Sequence, residues 1–123
     1  MATFENSEFK SAIVNCFNRA ILCNPIEAGA YHNKAAAYNK MGDRRQGLIN
    51  FRKAYALDPQ NANTFYNIAQ AYDEFGHLNL SLNTYFKVLI LDPLFQDAEN
   101  SLAHLLVQLE TFSTYLERKV IAL

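Results

Sequence analysis

The sequence predicts an all-α protein built as a stacked array of helix-turn-helix units, and three observations carry that expectation. The only prolines, Pro25, Pro59 and Pro93, are evenly spaced, and their interval is that of a class of helical repeat whose unit is about 34 residues long. Gly42 and Gly76 keep the same interval, each midway between two prolines, where a turn between two helices falls. Tyr31, Ala35 and Tyr38 are answered one interval later by Phe65, Ala69 and Tyr72. This puts large aromatics around a small residue at i, i+4 and i+7, on one helical face. With 123 residues, 50% of them apolar, the whole chain 1–123 is expected to form one domain with enough apolar material to fold.

The elements follow from the period. Residues 8–27 read as half a unit, because Phe17, Ala20 and Pro25 match Phe51, Ala54 and Pro59, and then Tyr85, Val88 and Pro93. Glu8 to Leu22 is therefore a second helix, and the seven residues before it are too few for a stable first helix. Its apolar residues Ile13, Phe17 and Ile21 are expected to be only half covered. Residues 28–61 form a complete unit, in which a small side chain at Ala35 lets the two helices approach closely. Asp43, with Gln46 three residues on, starts its second helix with a capping-box pattern. Residues 62–95 repeat the design.

Residues 96–123 begin another first helix, with Leu102, Ala103 and Leu106 expected at the stacking positions and Glu110 where the earlier units have glycine. Two continuations are open. Leu102, Leu109, Leu116 and Leu123 recur every seven residues, with Leu105 and Phe112 three after the first two, as in a heptad seam on one long helix, broken by Lys119. Thr114 and Glu117 instead form a capping box that would start a short separate helix folding back on the array. The folded-back cap is preferred, since three heptads is the lower limit of that signal.

Tyr31, Ala35, Tyr38, Gly47, Phe51, Ala54 and Pro59, and again Phe65, Ala69, Tyr72, Ser81, Tyr85, Val88 and Pro93, resemble the tetratricopeptide repeat. The departures are mild: Tyr or Phe replaces the family's tryptophan, and Ala its preferred glycine. The resemblance covers roughly residues 8 to 107. It implies antiparallel helix pairs stacked as a short right-handed α-solenoid whose first helices line a concave groove for a peptide or helix of a partner protein. That groove would be lined by His32, Asn33, Ala36, Asn39 and Lys40 from one helix, and by Asn63, Tyr66, Asn67, Gln70, Asp73 and Glu74 from the next. Asn33 and Asn67 are equivalent, and an amide both donates and accepts, so the pair suits an extended peptide backbone of any sequence. A family branch that clamps chaperone C-terminal carboxylates needs Lys and Arg where this chain has Asn63 and Asn67, or Asp97 and Ser101. A chaperone tail is therefore not an expected partner.

Other chemistry finds little support. Eight Lys/Arg and five Asp/Glu lie in residues 1–61 against three and seven in 62–123, and the basic cluster Arg44, Arg45, Arg52 and Lys53 reads as a solvated helix face, not a nucleic-acid surface. Cys16 and Cys23, seven apart on one helix, lie about 10 Å apart, too far for a disulfide, and are expected to be buried thiols. His32, His77 and His104 fall on separate elements, so no metal or other cofactor is expected. There is no G-x-S-x-G, phosphate loop or H-E-x-x-H, so a non-enzymatic adaptor or assembly factor is the leading expectation. No segment reads as a signal peptide or membrane span, and a cytoplasmic location follows. The alternative is a self-associating scaffold, a homodimer formed through Ile13, Phe17, Leu102, Leu109, Phe112 and Leu116.

Overall fold

In the computed structural model the backbone is described for residues 2–122 and the side chains for 8–119. Among the described residues six helices follow one another: α1 (Ala2–Cys23), α2 (Ala28–Lys40), α3 (Arg44–Leu57), α4 (Ala62–Glu74), α5 (Leu78–Leu91) and α6 (Gln96–Ala122). Each packs on the next. Helices α2 with α3 and α4 with α5 form the two complete pairs, and α1 and α6 flank them.

The punctuation works as its chemistry requires. Gly42 and Gly76 hold φ of +84° and +81°, the left-handed conformation that glycine adopts without a Cβ penalty. The chain then reverses through hydrogen bonds from Asp43 N to the Tyr38 carbonyl and from His77 N to the Tyr72 carbonyl. Asp43 accepts from the Gln46 amide at 3.1 Å to start α3, and Asn61 accepts from Asn63 and Thr64 to start α4. At the other end of each pair a proline keeps the residue before it out of the helical region. Asp58 and Asp92 accordingly sit at φ −140°, and their carboxylates accept from the backbone two residues on.

Two kinds of contact build the core. Within a pair, Ala35 and Ala69 are fully buried, and the Ser81 hydroxyl donates to the Ala69 carbonyl at 3.1 Å. The corresponding Gly47 leaves so little room that a Cβ there would lie 3.3 Å from the Ala35 carbonyl and collide with the Asn39 side chain. Between pairs, Ile68 of α4 packs with Phe51 of α3, and Ala98, Leu102 and Leu105 of α6 pack with Tyr85 and Val88 of α5.

The ends differ from the sequence expectations in three ways. Helix α1 begins at Ala2: the first residues continue the second helix toward its N-terminus instead of standing apart from it. Helix α6 runs unbroken through Ala122, so no separate cap starts at Thr114. The hydroxyl of Thr114 donates to the Glu110 carbonyl one turn back, a bond available inside a helix that makes it no N-cap. The stacking face of α6 is Ala98, Leu102 and Leu105, while Ala103 and Leu106 are exposed. By the repeat period, Ala98, Leu102 and Leu105 correspond to Thr64, Ile68 and Ala71, the face α4 turns to the preceding pair. Ala103 and Leu106 correspond to Ala69 and Tyr72, the face α4 turns to its own partner helix.

Candidate groove on the first helices

Helices α2, α4 and the first half of α6 are the successive first helices of the array, and the residues expected to line a groove lie on them in register. On α2, Asn33, Asn39 and Lys40 are exposed and His32 and Ala36 half-buried. On α4, Asn63 and Glu74 are exposed, with Tyr66, Asn67, Gln70 and Asp73 half-buried. The period continues the row onto α6 at Asp97, Asn100 and His104, exposed residues one repeat beyond Asn63, Tyr66 and Gln70. They were absent from the sequence-derived set, although the same repeat step marks them.

Several of these side chains are already engaged. His32 Nδ1 lies 2.9 Å from Thr64 Oγ1, and its ring meets Phe51 edge-on, with centroids 5.2 Å apart. It therefore ties α2 to α4 instead of standing free. Asn39 folds over Gly47. The Tyr66 hydroxyl accepts from Gln70 Nε2 at 3.0 Å, and the Tyr66 ring lies against Phe95 at 5.1 Å. Glu74 pairs with Arg44 of α3 at 3.1 Å. Asn33, Asn67, Asp73 and Asn63 are left to face solvent, with a hydrogen-bonded Tyr66–Gln70 floor between them.

The electrostatics divide along the array. Neither α4 nor residues 96–108 of α6 carries a Lys or Arg, so Asp73 and Asp97 make that part acidic, while Glu74 is paired with Arg44. On α2, Lys34 is held below its ordinary pKa by burial and by the Lys53 cation. Burial also lowers the His32 imidazole below its ordinary value. The unfolded chain thus takes up this proton at higher pH than the native state does. The stability linked to neutral His32 is complete above about pH 6.5 and is lost as pH falls from there toward the native pKa. Denaturant midpoints should decrease between pH 7.5 and 5, and His32→Gln should flatten part of that slope.

The other sites read differently from expectation. Cys16 and Cys23 are free and exposed, not buried. Cys16 occupies the position of Asn50 and Thr84, which are buried, but among the described residues α1 has no first helix to cover it. Leu102, assigned to self-association, is inside the core, whereas Ile13 is 38%, Phe112 58% and Leu116 46% exposed, with Phe17 and Leu109 half-buried. Leu123 lies outside the described residues. Arg45 and Arg52 border a recess of about 560 Å³ with Ile49, Phe75 and Leu80, between the second helices α3 and α5. That recess was not anticipated, because of the residues lining it only Tyr72 stands at a repeat-signature position. No group of three or more His, Cys, Asp and Glu converges on a metal-sized point among the described residues, and none of their helices is long and apolar enough to cross a membrane.

The sequence model of the tetratricopeptide repeat matches residues 28–61, the span of α2, its turn and α3. The fold is that of a tetratricopeptide-repeat array. The first tetratricopeptide-repeat domain of Spaghetti (RPAP3), solved bound to the HSP90 peptide SRMEEVD, superposes with a TM-score of 0.76 at 18% identity, covering 89% of this chain and 86% of that one. The tetratricopeptide-repeat domain of Arabidopsis OM64 gives 0.72 at 23% identity, covering 85% of each chain. MamA gives 0.65 at 24% identity, covering 68% of this chain and 49% of that one. No curated protein matches the sequence. The tetratricopeptide-repeat neighbours confirm an all-helical solenoid.

Proposed function

We propose that the protein is a non-enzymatic interaction module that holds a short extended peptide of a partner along the face formed by α2, α4 and α6. The observation that carries this reading is the paired placement of Asn33 and Asn67 at one repeat position, both reaching solvent, beside a floor of Tyr66 and Gln70. Each amide can donate to a peptide carbonyl and accept from a peptide N–H, so the main chain is gripped without regard to sequence. Specificity falls to charge. With Asp73 and Asp97 along the second half, Glu74 being paired with Arg44, and no cation on α4 or on residues 96–108, the preferred peptide carries a basic side chain there.

An acidic C-terminal tail such as the one bound in the Spaghetti structure would meet carboxylates where it needs cations. Selection from a peptide library, followed by titration calorimetry, tests the proposal. Selected peptides are expected to contain Lys or Arg and to bind more weakly in high salt. The double variant Asn33→Ala/Asn67→Ala, which removes two hydrogen-bonding groups worth about 1 kcal/mol each, should lower affinity by about tenfold or more without changing the helical circular dichroism. Unchanged affinity, or selection of acidic C-terminal peptides, would refute it.

A further inference from the structure

Among the described residues, the two end helices lack opposite partners. Helix α1 has the sequence positions of a second helix, yet the face that α3 and α5 bury is open on it: Ala20 is exposed, while its counterparts Ala54 and Val88 are 2% and 0% exposed. Helix α6 is a first helix with the complementary face open, at Ala103 and Leu106, where α4 buries Ala69 and half-buries Tyr72. We infer that α1 of one copy docks on α6 of another, completing a hybrid repeat and joining copies of this chain head to tail.

Charge points to a second copy as the occupant. In both complete pairs a lysine of the second helix sits over an aromatic ring of the first: Lys53 lies 5.9 Å from the centre of Tyr31, and Lys87 6.0 Å from that of Phe65. Stepping the same positions by one period places Arg19 of α1 opposite Glu99 of α6. Both are exposed. The chain thus carries at its two ends the halves of a contact that its middle makes twice, and they appear there as opposite charges. The excess of cations in residues 1–61 and of anions in 62–123 favours the same end-to-end approach.

Helix lengths agree. In an antiparallel pair the C-terminus of the first helix lies beside the N-terminus of the second. Helix α6 exceeds the first helices α2 and α4 at its C-terminal end, and α1 exceeds the second helices α3 and α5 at its N-terminal end. Both overhangs fall on the same side of the hybrid pair, where they lie alongside each other. Ile13 replaces the close-packing Gly47 and Ser81, so it meets Ala103 at a wider helix separation. Docking in this sense also continues the row α2, α4, α6 into α2 of the next copy, lengthening the face proposed for peptides, although the inference stands independently of that function.

Such a contact uses different patches on the two copies, so it propagates as an open chain or closes as a ring. Sedimentation velocity should show species growing beyond a dimer as concentration rises. Ala20→Glu and Ala103→Glu, both at exposed positions and checked for native helicity, should each be monomeric. Mixed, they should form a one-to-one dimer and nothing larger, since one intact α1 and one intact α6 remain. Arg19→Glu should weaken assembly by about tenfold or more, and Arg19→Glu/Glu99→Arg should restore it. A wild type that stays monomeric at all concentrations overturns the inference. So does a discrete dimer that survives Ala20→Glu but not Ala103→Glu, the signature of symmetric α6 pairing.

Discussion

Replacing Tyr85 with alanine is expected to cost about 3–5 kcal/mol of stability, a large share of the roughly 5–15 kcal/mol that holds a typical domain together. Tyr85 is 1% exposed and shares a cluster with Phe65 and Ala69 of α4 and Leu102 and Leu105 of α6. It therefore joins three helices, and no other side chain can fill the ring's volume without moving one of them. Its pKa is raised, chiefly by burial, with the Ser101 hydroxyl opposing the shift, so the ring is both desolvated and in contact with α6. Tyr85→Phe keeps the ring and should lose far less. Urea denaturation of the two variants separates packing from the hydroxyl; equal losses would show that the hydroxyl, not the ring, is what matters.

Gly47→Val is the second large effect, expected to destabilise by about 1–3 kcal/mol or more. A Cβ at Gly47 would lie 3.3 Å from the Ala35 carbonyl, a backbone atom that can move only by separating α2 from α3. Asn39, also in the way, is a flexible side chain and can swing aside. Gly47→Ser should be tolerated far better, because α5 already places a serine at this position with its hydroxyl donating to the corresponding carbonyl of Ala69. The difference in thermal midpoint between the two variants is the measurement. A valine variant as stable as the serine one would mean that α2 and α3 do not meet closely there.

The middle of the fold was legible because each mark has a local physical cause. Gly42 and Gly76 read as turns because only glycine takes positive φ freely, and the prolines read as ends because of what they do to the preceding residue. Ala35 and Ala69 read as crossing points because small residues set helix separation. The ends were less legible. Thr114 and Glu117 satisfy a capping pattern, but the same residues serve inside a helix, and only tertiary contacts select between the two. The heptad leucines similarly proved to be the stacking face of α6 prolonged past α5: Leu102 and Leu105 lie in the core, while Phe112 and Leu116 extend the stripe into solvent. Leu102, Ala103 and Leu106 were placed together although period alone assigns them to two faces. Of the candidate groove, the positions were readable but the engagements were not. Nothing in the sequence indicates that His32 turns to Thr64 or that Glu74 turns to Arg44.

The face formed by the first helices is proposed to bind peptide. Backbone amide chemical shifts recorded during titration with a library-selected basic peptide test it most directly. The largest changes are expected at Asn33, Asn67, Gln70 and Asp73, with those at Ile49, Phe75 and Leu80 small. Shifts concentrated at the Arg45 and Arg52 recess between α3 and α5, with Asn33 and Asn67 unmoved, would contradict it.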